Sequence, residues 1–145
     1  MRISTKVDYA VRAVAELASE PGVAVPATRI SDAQAIPLNF LLHILEELQQ
    51  GGIVRAEPEQ GGGFELVGDP AEVTIADIAE AVEGPLAAVR GEPAEDHTYP
   101  GAARALPRVW VAVRENLDRV LGHVTIADVA SGKLPASIDG VAAGV

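Results

Sequence analysis

Two helical stretches separated by only a few residues constrain the fold of this chain more than any other feature. The first runs from Pro26, a favourable first-turn residue, to about Gln34. The second opens at Pro37 and carries Phe40, Leu41, Ile44, Leu45 and Leu48 on one side until Gly51-Gly52 stops it. The joint, Ala35-Ile36-Pro37, has helix-turn-helix spacing. Spacing alone would also suit a small helical bundle. An earlier amphipathic helix over residues 7–18 supplies an apolar face for the pair. In it Val7, Ala10, Val11, Val14, Leu17 and Ala18 recur at helical intervals, Ser4 or Thr5 can cap it, and Pro21-Gly22 ends it.

What comes after the third helix narrows the choice. Ile53-Val54-Arg55-Ala56-Glu57 reads as a short strand, residues 58–63 as a glycine-rich turn, and Phe64-Glu65-Leu66-Val67 as a returning strand that alternates apolar and polar. A hairpin placed there makes a winged helix. Gly61, Gly62 and Gly63 suit a wing tip, since glycine allows positive φ and close backbone approach. They do not suit a nucleotide loop, because no Lys-Ser/Thr and no helix follow them.

Further along, Val73-Thr74-Ile75-Ala76-Asp77-Ile78-Ala79 returns almost unchanged as Val124-Thr125-Ile126-Ala127-Asp128-Val129-Ala130. Two copies do not make a solenoid; each reads as a helix start, a threonine cap with an acid three residues on. Residues 84–100 are the least regular part and read as a loop. Then Leu106, Val109, Trp110, Val113, Leu117, Val120 and Leu121 form a single helical stripe, with Pro107 in the first turn or at a kink. On a small winged domain this stripe would project and need a partner, and a second copy of the chain is the commonest one. The expected organisation is therefore a winged helix-turn-helix over 1–85, a loop and long dimerisation helix over 86–131, and a pattern-poor, flexible tail over 132–145.

Charge is unevenly distributed. Residues 1–55 carry five basic and six acidic side chains, whereas residues 56–145 carry six and fifteen. Between Ala56 and Glu83 stand eight acids and no base. Such a chain is repelled by nucleic acid unless its bases are clustered. It contains no cysteine, which excludes disulfides, a thiolate nucleophile, a zinc knuckle and an all-cysteine iron–sulfur site. The first six residues lack the apolar core of a signal peptide, and no stretch approaches about 18 uninterrupted apolar residues. A cytoplasmic protein without a membrane span is expected.

Taken together, these segments resemble the Rrf-type bacterial regulators, the family of IscR, NsrR and CymR. The likeness lies in Arg2-Ile3-Ser4-Thr5-Lys6-Val7-Asp8-Tyr9-Ala10-Val11-Arg12-Ala13 and in Ile36-Pro37-Leu38-Asn39-Phe40-Leu41. It continues in Gly52-Ile53-Val54-Arg55 with Gly62-Gly63-Phe64-Glu65-Leu66, and in Val73-Thr74-Ile75-Ala76-Asp77-Ile78 with Ala81-Val82-Glu83-Gly84-Pro85-Leu86. The resemblance covers about residues 1–130. It implies a homodimeric, non-enzymatic transcription regulator whose two recognition helices read a palindromic operator in double-stranded DNA, with half-sites about one DNA turn apart. Many relatives hold an iron–sulfur cluster on three cysteines in the loop before the long helix. Here that loop, residues 90–105, has none, so the resemblance implies a cysteine-free branch with no cluster cofactor. Its signal would be another one, such as a small-molecule effector. Asp8 matches the place of a carboxylate ligand in some relatives; without cysteines it reads as a surface or capping acid.

Major-groove reading needs side chains near the start of the recognition helix, and the matching positions are Leu38, Asn39, Phe40 and His43. Asn39 could pair with adenine, and His43 could donate to a base or phosphate; Phe40 is equally readable as core. Phosphate contacts fall to Arg2, Lys6 and Arg55, with the amides of Gly61, Gly62 and Gly63 and with Gln60 at the wing. The wing's Glu57, Glu59 and Glu65, and Glu46 and Glu47 on the recognition helix, oppose DNA. Weak or strongly salt-sensitive binding is therefore expected. Two rival readings are a winged-helix interaction module that has lost DNA binding and a metal-responsive sensor. The latter would use His97 beside Glu95 and Asp96, though no regular ligand spacing is present and a solvated loop explains them as well. Ser31, Asp32 and His43 are close in sequence, but they form no recognisable catalytic arrangement.

Overall fold

Ser4 starts the first helix: its hydroxyl accepts from the Val7 N–H at 3.1 Å, and α1 runs Thr5–Ala18. The computed structural model describes residues 1–59 and 61–145. In it α2 spans Ala27–Gln34 and α3 Leu38–Gln50, with Pro26 and Pro37 just outside their first turns. Strands β1 (Val54–Ala56) and β2 (Phe64–Leu66) pair antiparallel, Val54 opposite Leu66 and Arg55 opposite Glu65. The wing follows α3, as the glycine-rich turn predicts. Helices α4 (Ile75–Glu83), α5 (Leu106–Leu121), α6 (Ile126–Ser131) and the single turn α7 (Ala136–Asp139) complete the chain. The architecture is mainly helical with a small two-stranded wing.

The core lies where α1 meets α2, α3 and α4. Ala10, Ala13, Val14 and Leu17 of α1 pack with Ile30 of α2, Leu41, Ile44, Leu45 and Leu48 of α3, and Ile78 of α4, all essentially out of water. Each fully buried Leu or Ile contributes about 1.5–3 kcal/mol of transfer free energy. Phe40 departs from the stripe read in the sequence. It is 45% exposed, because it sits in the first turn of α3, at the edge of the contact with α1.

Val25 extends the wing by one rung, exchanging two backbone hydrogen bonds with Phe64 at 2.8 and 2.9 Å. This rung explains Gly63. At its φ of 139° a β-carbon would stand 2.9 Å from the Val25 carbonyl carbon. The close backbone approach needs the missing side chain.

The repeated segments both start helices, each with a complete capping box: Thr74 with Asp77, and Thr125 with Asp128. They also meet. The Ile75 N–H donates to the Val124 carbonyl at 3.0 Å and the Ile126 N–H to the Val73 carbonyl at 2.8 Å. Through this bridge the start of α6 meets the start of α4, while α6 itself packs against α1, and Ile126 is fully buried in the core around α1. Within the pattern-poor tail, residues 136–139 form the single turn α7.

Helix α5 is the exception to the packing. Pro107 occupies its first turn, and none of its sixteen residues is buried.

Candidate nucleic-acid interface

The outward face of α3 is built by elimination. Leu41, Ile44, Leu45 and Leu48 turn into the core, which leaves Leu38, Asn39, Phe40, Leu42 and His43 exposed along the first two turns. The structure thus brings together the four side chains expected on the recognition helix. It adds Leu42, 44% exposed, which the sequence reading passed over. Its signal was available, since Leu42 falls outside the 41/44/45/48 stripe. Phe40 packs T-shaped against the Tyr9 ring, with centroids 5.7 Å apart and the rings at 88°.

The expected phosphate-binding cations are held differently. The Lys6 ammonium donates to Glu47 Oε1 at 3.0 Å and to the Val82 carbonyl at 3.1 Å. Arg55 donates through Nε to Glu65 Oε1 at 2.5 Å, and Glu57 lies 3.5 Å away. Arg2 is exposed and makes no ion pair among the described residues. Glu65 is nearly buried, with 8% of its side chain exposed, although strand alternation puts it on the solvent side. The pairing explains this, for Arg55 stands directly opposite in the sheet and folds over the carboxylate. The hydrogen bond that Arg55 donates holds the Glu65 carboxyl below its ordinary range, and the same bond raises the pKa of Arg55.

At the tip, Gly61 and Gly62 have φ of 91° and 78°. Gly62 donates its N–H to the Glu59 carbonyl at 3.3 Å, so that amide is already engaged. Gln60 lies outside the described residues.

The α5 stripe remains open. Val109 and Val120 are 51% and 45% exposed, and Leu106, Trp110, Val113, Leu117 and Leu121 are only half-buried. Leu117 and Leu121 help line a cavity of about 690 Å³ bounded also by Arg2, Val7 and Leu86.

His97 is not a solvated loop residue. It is buried: Nε2 donates to the Val89 carbonyl at 2.8 Å and Nδ1 faces the Arg90 guanidinium at 3.2 Å. Glu95 is bound by Arg114, whose hydrogen bond lowers the carboxyl's pKa. Asp8 pairs with Arg12 one turn on, at 3.0 Å. Among the described residues no cluster of three or more histidines and carboxylates could hold a metal.

A family model named Rrf2, described as an iron-dependent transcriptional regulator, matches residues 3–132. The chain belongs to the Rrf2 family. An HTH-type transcriptional regulator of Mycobacterium tuberculosis is 42% identical over 136 residues, covering 93% of this chain and 84% of that protein. CymR of Bacillus subtilis is 29% identical over 132 residues, 90% of this chain and 91% of its own. The solved structure of B. subtilis CymR, the global cysteine regulator, superposes with a TM-score of 0.75 at 26% identity, over 91% of this chain and 98% of that one. IscR of T. potens, at 24% identity and a TM-score of 0.73, shares the fold, with 91% of this chain and 88% of that one covered.

As an Rrf2 protein the chain is a transcriptional regulator with a DNA-binding winged-helix fold, in a family that is not enzymatic. Among its described residues no helix is long and apolar enough to cross a membrane. The family description names iron, but the donor set here does not fit a thiolate-bound cluster. The chain has no cysteine, and in the loop before α5 both nitrogens of His97 are engaged.

Proposed function

We propose that this regulator binds a palindromic site in double-stranded DNA as a homodimer, without a cysteine-ligated iron–sulfur cluster. Each protomer would place α3 in the major groove of one half-site. The observation that carries this reading is the exposed first half of α3, where Asn39 and His43 stand among Leu38, Phe40 and Leu42. Asn39 can pair with an adenine edge, and the apolar side chains suit thymine methyl groups. Residues 1–85 would read DNA, and the α5 stripe within 86–131 would join the protomers. An amphipathic sixteen-residue helix with no buried residue supports the second role.

Binding would be weak and would fall as salt rises. Arg2, Lys6 and Arg55 give about six phosphate contacts in a dimer, or a log–log salt slope of about −5. Two of the three must first leave Glu47 and Glu65. A small-molecule effector, rather than a cluster, would set the active state.

The test is selection of genomic fragments by the purified protein at low salt, with its mass in solution measured in parallel. An enriched palindrome bound by a dimer supports the reading. A folded dimer that enriches nothing, with or without cell extract, contradicts it and favours a protein-interaction module, the role that the acid-paired wing suits.

A further inference from the structure

Arg12 lies on α1, away from the groups assigned to DNA, yet it ties three parts of the reading head together. Its Nε donates to Gln34 Oε1 at 3.1 Å, one terminal nitrogen donates to the Gln34 carbonyl, and the other reaches Asp8 at 3.0 Å. Gln34 is the last residue of α2, and Ala35 after it adopts a left-handed conformation, φ 52° and ψ 44°, before the chain enters α3. Holding the Gln34 carbonyl therefore holds the joint that sets the start of α3. The same guanidinium lies 5.2 Å from the centroid of the Tyr9 ring, which packs T-shaped against Phe40. One planar cation with five donors makes all of these contacts at once, which a lysine cannot do.

We propose that Arg12 is a positioning residue for sequence reading: it fixes the α2–α3 joint and, through Tyr9, the Phe40 ring, without touching DNA itself. This rests on the reading of α3 as the base-reading helix. A residue with this role sets discrimination between sites rather than general affinity, because a displaced ring loses base contacts while phosphate contacts persist.

Two arms test it, using the full-length protein. The first needs no DNA. The chain has two phenylalanines, Phe40 and Phe64. Incorporating 4-fluorophenylalanine gives one fluorine resonance for each, assigned with Phe40→Leu. In Arg12→Ala the Phe40 resonance should move towards its unfolded position while that of Phe64 stays. Arg12→Lys should not restore it. An unmoved Phe40 resonance overturns the inference.

The second arm compares binding to a selected site and to the same site with thymines replaced by uracils, across salt concentrations. Wild type should prefer the thymine site, and Arg12→Ala should lose roughly tenfold of that preference. Its salt slope should be unchanged. A slope shallower by about two in the dimer would make Arg12 a phosphate contact and overturn the proposal. A lowered melting temperature with discrimination intact would make it merely structural and overturn it too. If wild type enriches no site, the DNA reading fails, and the fluorine arm still decides whether Arg12 places Phe40.

Discussion

Thr74 and Thr125 face each other across an antiparallel bridge, each capping its own helix while the backbone beside each bonds to the other's segment. The bridge ties the start of α4, just beyond the wing, to the start of α6, just beyond α5. Replacing either threonine by alanine removes a cap and should cost about 1 kcal/mol. Because the caps fix the two backbones that meet, the double variant should be non-additive by about 0.5 kcal/mol or more. Urea melts of the four proteins provide the cycle, and strict additivity would show that the two starts are independent.

Ala35 holds a left-handed conformation that is unfavourable for any residue with a β-carbon. Ser31 helps to hold it, its carbonyl accepting from the Ile36 N–H at 3.1 Å and its hydroxyl donating to the Ile36 carbonyl at 2.6 Å. Ala35→Gly should therefore stabilise the protein, by about 1 kcal/mol after the entropy of the unfolded chain is counted. A melting temperature about 2–4 °C higher is expected. A decrease would contradict the strain.

Two wing glycines should respond differently to alanine. Gly61 has open space around a notional β-carbon, so Gly61→Ala meets only the conformational cost of positive φ, about 1 kcal/mol. Gly63→Ala meets that cost and the Val25 backbone as well. It should be the more damaging by about 1–3 kcal/mol, and it should loosen the Val25–Phe64 rung, read as faster amide exchange there. Equal melting temperatures for the two variants would count against the close approach.

The Arg55–Glu65 pair makes the wing sensitive to acid. The folded-state pKa of Glu65 lies below the ordinary value of 4.5, so the pair's contribution is fully present above that value. It is lost as pH falls through the lower folded value, because the folded carboxylate must then be protonated. Glu95, held by Arg114, acts in the same direction. Denaturant melts between pH 6 and about pH 3 should show a steeper loss in wild type than in Glu65→Gln. Parallel curves would remove Glu65 from the acid limb.

Much of this architecture is legible in the residues themselves. The helical period places α1, α3 and α5, the three glycines place the wing tip, and the threonine–acid spacing marks the starts of α4 and α6. What the sequence conceals is partnership. Alternation sends Glu65 to solvent, but the arginine opposite covers it. Lys6 reads as a free cation near the N-terminus, yet Glu47, forty-one residues on, binds it. His97 reads as a loop residue and is instead a buried staple between Val89 and Arg90. The meeting of the two repeated segments is equally invisible, since a cap is local and a bridge between caps depends on the tertiary fold. On α3, periodicity separates the buried stripe from the rest, but only packing shows that Phe40, in the first turn, stays half-exposed beside Tyr9 of α1.

The central claim is that two α3 helices read two half-sites related by symmetry. Hydroxyl-radical footprinting of the purified protein on a selected site tests it most directly. The expected pattern is two symmetric protected regions whose centres lie about 10 base pairs, or a multiple of that, apart, with both weakened in Asn39→Ala. A single unpaired footprint, or protection unaffected by Asn39→Ala and Phe40→Ala alike, would contradict the account.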